Sequence, residues 1–386
     1  MKISKIESTI IDFLSKYSIL IFGIIIYLLS IVFRGYFLNF QSGDYRMSLS
    51  RWYDTLANNG FSAFKTNFAN YFQSYLYLMY LAVHLPFGKL FNIKFISMFF
   101  DYVCAFLASI YFYKKYNNKL KAVLVFTAII LSPVVVINSA CWAQCDIIYA
   151  FFLLISIGAL INEKYTLSLL FFSIAFCFKL QAIFILPVFL LVYLNKRAFS
   201  FVNFLLIPLM YFVFMIPSLI AGRGFMSLLT IYSDQTSGNR LAANVANIYS
   251  FIPNDFNTYY KPGLIFAISV ILVFCFLVYY FKIDMNEKNI LILTLIISIL
   301  VPFVLPKMHD RYYFFAELFS IIIGFFLYKK YLFVTLIMNF CALMVYYIFL
   351  NNTTLVDLRI CSAFIFAALL KLIYDFFKDN IILKYV

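Results

Sequence analysis

The chain has 386 residues, of which 65% are hydrophobic, 22% aromatic and only 12% charged, with a mean hydropathy of +0.95. A soluble domain carries about 25% charged residues, so that class is excluded. A net charge of +14 would suggest nucleic acid in a soluble protein, but here Lys and Arg are expected in cytoplasmic loops, and no nucleic-acid partner is expected.

The apolar runs are continuous and near membrane-crossing length, and they do not alternate. They predict an all-α polytopic membrane protein and argue against a β-barrel. "MKISKIESTIIDFLSKYS" precedes the first run without a small-residue cleavage site, so the first helix is expected to be retained. Spans are predicted near 18–37, 94–113, 121–138, 146–162, 165–180, 181–195, 199–220, 264–282, 288–305, 312–328, 331–350 and 359–377. That makes about twelve, with 165–195 either two short spans or a broken pair of half-helices. Lys2, Lys5, Lys16, "KKYNNKLK" (114–121), "NEK" (162–164), "NKR" (195–197), "KIDMNEK" (282–288), "KK" (329–330), Lys378 and Lys384 then share one side. The positive-inside rule makes that side cytoplasmic, with both termini inside.

The other loops face out. Two are long, 38–93 and 221–263, and the short ones fall at 137–146, 178–181, 306–311 and 351–359. The apolar piece "YLYLMYLAVHLPFG" (75–88) is read as a helix lying on the outer membrane surface. No repeat or soluble domain interrupts the chain, so 1–386 is read as one transmembrane domain. The seven cysteines lie mostly in apolar runs and read as small hydrophobes. Cys141 and Cys145 could share a helix face, but no further ligand joins them, so no metal is expected.

Five outward segments carry the unusual polar residues. The first, "SGDYRMSLSRWYD" (42–54), holds Asp44, Arg46, Arg51, Trp52, Tyr53 and Asp54. "WAQCD" (142–146) holds Gln144 and Asp146. Lys179 and Gln181 interrupt an apolar run. "YSDQ" (232–235) and "NVANIYSFIP" (244–253) contribute Gln235 and Asn244. "KMHDR" (307–311) brings Lys307, His309, Asp310 and Arg311. Tyr71 and Tyr312 are among many outward tyrosines, suited both to membrane interfaces and to sugar faces. Transporters gather polar groups near the midplane in matching halves, which is not the pattern here.

Asp44 reads as a general base or as a solvated acid paired with Arg46. Asp54 either orients an acceptor or holds the loop. Asp146 either caps a helix or points into the same cavity as Asp44. Lys179 either meets an anion or snorkels to the interface. Lys307, His309 and Arg311 are potential cations for a phosphate, with Asp310 orienting His309 or facing water. Glu317 is expected to pair within the membrane. A carboxylate base, a cationic clamp and a lipid-accessible surface match transfer of a sugar from a polyprenyl phosphate to a hydroxyl. One base suffices for a single inverting displacement, and no Gly-rich phosphate loop or nucleotide cofactor is called for. Two other classes remain: a lipid-linked-sugar or polysaccharide transporter, and a glycan polymerase or ligase. The ligase would want several arginines in a large outer loop, where only Arg223 and Arg240 lie.

These segments, in this order, resemble bacterial GT-C glycosyltransferases, and more closely the branch related to membrane mannosyltransferases, with "WGQxD" and "KMHERYF" forms. The resemblance runs from about residue 40 to 320 and implies a GT-C-like fold with a large first extracytoplasmic loop carrying surface helices. It also implies a bacterial plasma-membrane enzyme using a polyprenyl-phosphate-linked monosaccharide, such as one on undecaprenyl phosphate. The acceptor would be a cell-envelope glycan or glycolipid. By motif position Asp44 takes the base role, His309 and Arg311 the donor phosphate, and Gln144, Asp146, Lys179 and Gln181 the cavity. Three departures stand out: Ala143 in place of glycine, Asp310 in place of glutamate, and "NYFQSYLY" in place of a proline pair after "NY".

Overall fold

In a bilayer the backbone finds no water, so apolar segments satisfy their own polar groups as helices. The computed structural model describes residues 4–236 and 238–381. Lys2 and Lys384, assigned above to the basic side, lie outside the described residues. The helices in order are α1 (Lys5–Phe37), α2 (Ser50–Asn59), α3 (Gln73–Val83), α4 (Lys89–Tyr116), α5 (Lys119–Ile130), α6 (Pro133–Val136), α7 (Asp146–Ile161), α8 (Tyr165–Phe178) and α9 (Leu186–Lys196). They continue with α10 (Leu206–Ile220), α11 (Phe225–Leu229), α12 (Ile231–Gln235), α13 (Phe256–Tyr280), α14 (Glu287–Val304), α15 (Phe314–Ile321), α16 (Leu332–Asn351) and α17 (Leu358–Asn380).

Among the described residues, seven helical stretches are long and apolar enough to cross a membrane, with α1, α4, α10, α13, α14, α16 and α17 as their cores. An eighth is the pair Lys119–Ile130 and Pro133–Cys141, bent by 46° where Ser132–Pro133 breaks it. The segments Asp146–Ile161, Tyr165–Phe178, Leu180–Lys196 and Phe314–Leu327 are apolar but shorter than a full crossing. The expected spans therefore divide into these two kinds. The segment 165–195 is broken: Lys179 is extended, with φ −154° and ψ 133°, and a 3₁₀ turn at Leu180–Ile185 leads into α9.

α14 forms the centre, buried on every side from Asn289 to Val304. Its sequence there has no charge and no polar face, the pattern of a helix enclosed all round. α1 is equally apolar but keeps most of its surface outward, where lipid would meet it. α3, expected along the membrane surface, packs closely against the rest of the protein. Tyr75, Leu76 and Met79 are fully buried, and Tyr77 bonds to Phe214 and Ser218 of α10. Its entry needs no proline, because Phe72 itself takes φ −67° and ψ 156° and stacks on Tyr211 at 4.2 Å.

The two ends of the bundle differ. At one end, basic residues meet acids across elements: Lys115 with Glu287, Lys196 with Glu163 at 2.7 Å, and Lys288 and Lys330 with Asp379 at 3.0 Å. At the other end the backbone is irregular. π-helical segments run over Tyr45–Leu49 and Ile137–Cys141. A short parallel ladder ties β1 (Ala242–Ala243) to β2 (Met308–His309), so the second long loop is stitched to "KMHDR".

Three buried charged residues in the helices, Arg34, Lys94 and Asp101, went unremarked in the sequence. Arg34 of α1 pairs with Asp101 of α4 at 2.9 Å, and Ser139 donates to the same carboxylate at 2.5 Å. Lys94, fully buried, donates to the carbonyls of Phe37 and Phe40 at 2.7 Å each, closing the end of α1. Glu317 accepts from the Tyr346 hydroxyl at 2.8 Å.

Candidate active site

At the irregular end, four separated segments meet around one carboxylate. Asp44 stands where the first loop enters its π-helical segment, a feature that often marks functional positions. Its Oδ2 accepts from Trp142 Nε1 at 2.8 Å and Gln144 Nε2 at 2.5 Å, and lies 3.5 Å from an Arg311 guanidinium nitrogen. Oδ1 has no hydrogen-bond partner among the described residues, and the side chain is about 30% exposed. One oxygen is thus fixed and the other is open.

The turn that supplies Trp142 and Gln144 explains the glycine expected at 143. The π-helical segment Ile137–Cys141 ends with Trp142 N donating to Ile137 O and Gln144 N donating to Asn138 O. Ala143 between them has φ 66°, the left-handed position where helices usually end on glycine. An alanine there carries about 1–2 kcal/mol of strain, against about 0.4–1 kcal/mol that it removes from unfolded-chain entropy. Ala143→Gly is therefore expected to leave the melting temperature unchanged or raised. A fall on thermal unfolding in detergent would show that the alanine methyl is needed for packing.

Asp146 opens α7 but does not cap it with its side chain. It accepts from Asn138 at 2.9 Å and pairs with Lys179, and both partners of that pair are buried. The break at Lys179 frees the chain to turn this ammonium toward α7, with Tyr71 and Tyr149 rings beside it. Lys179 is therefore already neutralised by a carboxylate and does not snorkel.

Arg311 is the hub. It faces Asp44 and Asp310 at 3.5 Å and Asp146 at 3.9 Å, with its guanidinium 5.4 Å from the Trp142 ring centre. Among the described residues its Nε is buried without a hydrogen-bond partner, as are Gln181 Oε1 and Asn138 Oδ1. Asp310 is buried and accepts from the Arg311 backbone N–H at 3.0 Å. Burial lifts its pKa to about 7, with Arg311 opposing. His309 keeps an exposed edge next to Tyr312, yet surrounding protein depresses its pKa to about 4, with Arg311 adding to the effect. The neighbouring Arg311 and Lys179 charges both push against a charged His309.

The remaining residues divide. Tyr71 donates to Gln144 Oε1 at 3.2 Å and packs against Trp52 at 5.1 Å, so both belong to the support of Asp44. Tyr53 accepts from Asn92 at 2.9 Å. Asp54 is held by Lys89 at 2.8 Å, the loop-holding alternative. Arg46 and Arg51 are exposed, and among the described residues Arg46 makes no pair with Asp44. Gln235 bonds to the Asn70 carbonyl, and Asn244 is exposed with φ 50°. Lys307 turns its ammonium to the Thr236 carbonyl at 2.6 Å and to the Phe256 and Tyr260 rings, so its charge is engaged there. Trp142, Asn138 and Ser42 were not singled out, although Trp142 heads a quoted motif. Ser42 donates to the Trp142 carbonyl at 2.7 Å. Among the described residues, no group of three or more His, Cys, Asp or Glu side chains is arranged to hold a metal ion. No protein-family model matches the chain, and no curated protein matches it either.

Proposed function

We propose that the protein is an inverting glycosyltransferase of GT-C type that moves one sugar from a polyprenyl phosphate to a hydroxyl of a cell-envelope glycan or glycolipid. The observation that carries this reading is Asp44, with Oδ1 open and Oδ2 fixed, beside an arginine whose Nε has no hydrogen-bond partner among the described residues. The acceptor O–H loses its proton to Asp44 Oδ1 as its oxygen bonds the anomeric carbon. The carbon–oxygen bond to phosphate breaks in the same step, and the leaving phosphate takes the electron pair. Arg311 stabilises that charge, and His309 can donate one hydrogen bond to it.

The orientation follows from charge. We assign the basic end to the cytoplasm of a bacterial plasma membrane; Asp44 would then lie outside and both termini inside. The lipid tail would lie in the bilayer while its phosphate meets Arg311.

The test is transfer by purified protein in nanodiscs from a polyprenyl-phosphate sugar labelled at the anomeric carbon, with the product configuration read by NMR. Inversion is expected, and transfer is expected to persist in EDTA. Retention would overturn the single displacement, and donor translocation without a new glycosidic bond would favour a transporter.

A further inference from the structure

We infer that a second cavity, of about 260 Å³, is the acceptor subsite and takes one sugar residue through its hydroxyl groups. This rests on the glycosyltransferase reading above. The cavity lies between the first and second long loops, and its polar lining is Ser48, Trp52, Asn67, Asn70 and Asp234. It is smaller than the roughly 300–1,000 Å³ pockets of drug-sized ligands, which fits a single ring better than a chain.

Its chemistry matches a polyol. Asn67 Oδ1 is taken by Arg223 at 2.8 Å, which leaves the amide N–H groups of Asn67 to donate. The Ser48 hydroxyl and the Asn70 side chain make no hydrogen bond among the described residues. Asp234, whose Oδ2 accepts from Thr230 at 3.4 Å, adds a carboxylate to the lining, and Trp52 adds an aromatic surface. Two contacts hold the second loop over the first: Arg223 to Asn67, and Gln235 to the Asn70 carbonyl.

The cavity is also wired to the base. Asp44, Ser48 and Trp52 recur every fourth residue on one helical stretch, so they lie along one face. From Trp52, contact passes to Tyr71 at 5.1 Å, then by hydrogen bonds to Gln144 at 3.2 Å and Asp44 at 2.5 Å. This chain of contacts links a sugar seated here to the support of Asp44.

The chain has only two tryptophans, which makes the test direct. Trp142→Phe leaves Trp52 as the sole indole reporter at this cavity, and Trp52→Phe leaves Trp142 beside Arg311. The probes are methyl glycosides of glucose, galactose, mannose and N-acetylglucosamine, titrated without donor, and farnesyl phosphate. At least one glycoside is expected to change Trp52 emission saturably and to leave Trp142 emission unchanged. Ser48→Ala and Asn70→Ala, whose side chains carry no internal bonds, are expected to weaken that binding about tenfold each. Farnesyl phosphate affinity should stay the same in both. No saturable response of Trp52 to any glycoside, or unchanged glycoside affinity in both variants, overturns the subsite. Because neither readout needs turnover, loss of the transfer reading would leave this result standing on its own.

Discussion

Asp44→Asn is expected to lower the transfer rate by about 10²–10⁴-fold, the usual contribution of a positioned general base. The substitution is close to isosteric. The asparagine carbonyl can still accept from Trp142 Nε1 and Gln144 Nε2, so the turn at 142–144 keeps its partner. What disappears is the open oxygen able to take a proton. Donor binding should hardly change, since the phosphate is assigned to Arg311 and not to Asp44. The measurement is single-turnover transfer alongside donor affinity. Loss of rate with donor affinity intact supports the base; unchanged rate removes it.

Arg311→Ala is expected to do two kinds of damage. It strips the cation from beside Asp44 and from buried Asp310, while Asp146 keeps Lys179 as its partner. Leaving such charges uncompensated costs about 3–5 kcal/mol, so the variant should melt lower. It should also lose donor affinity. Arg311→Lys separates the two, because it keeps the charge but not the planar fork that meets phosphate oxygens in pairs. The lysine variant is expected to fold near normally and bind polyprenyl phosphate at least about tenfold more weakly, a loss of about 1.4 kcal/mol. A folded lysine variant with undiminished donor affinity would sink the clamp.

The sequence carried the convergence well. Segments holding Asp44, Gln144, Asp146, Lys179 and Arg311 are far apart in the chain, and each stood out as polar among apolar neighbours. A buried polar group in such a chain needs partners, and the partners available were one another. Direction was harder to read. Lys307 sits four residues from Arg311 but takes left-handed backbone, φ 62°, and its side chain leaves for Phe256 and Tyr260. His309 stands beside Tyr312, and of the charges that act on it, Asp44 and Lys179 come from other segments that the local sequence does not reveal. Arg34 and Asp101 escaped notice for a related reason: each alone looks like one stray charge near a helix end, and only the fold reveals that they form a pair. Asp310, the least explained residue of "KMHDR", gains a defined place under the Arg311 backbone.

That pair also bears on how the chain is made. Arg34 leaves the ribosome with α1, and Asp101 follows 67 residues later. At about 5–20 residues per second the wait is roughly 3–13 s. An arginine at the middle of a spanning helix costs the translocon about 2.5–3.5 kcal/mol, and less near a helix end. Lys94, which closes the last carbonyls of α1, arrives in the same interval. The first helix is therefore expected to settle at its final depth only once α4 has emerged beside it, the two inserting as a pair.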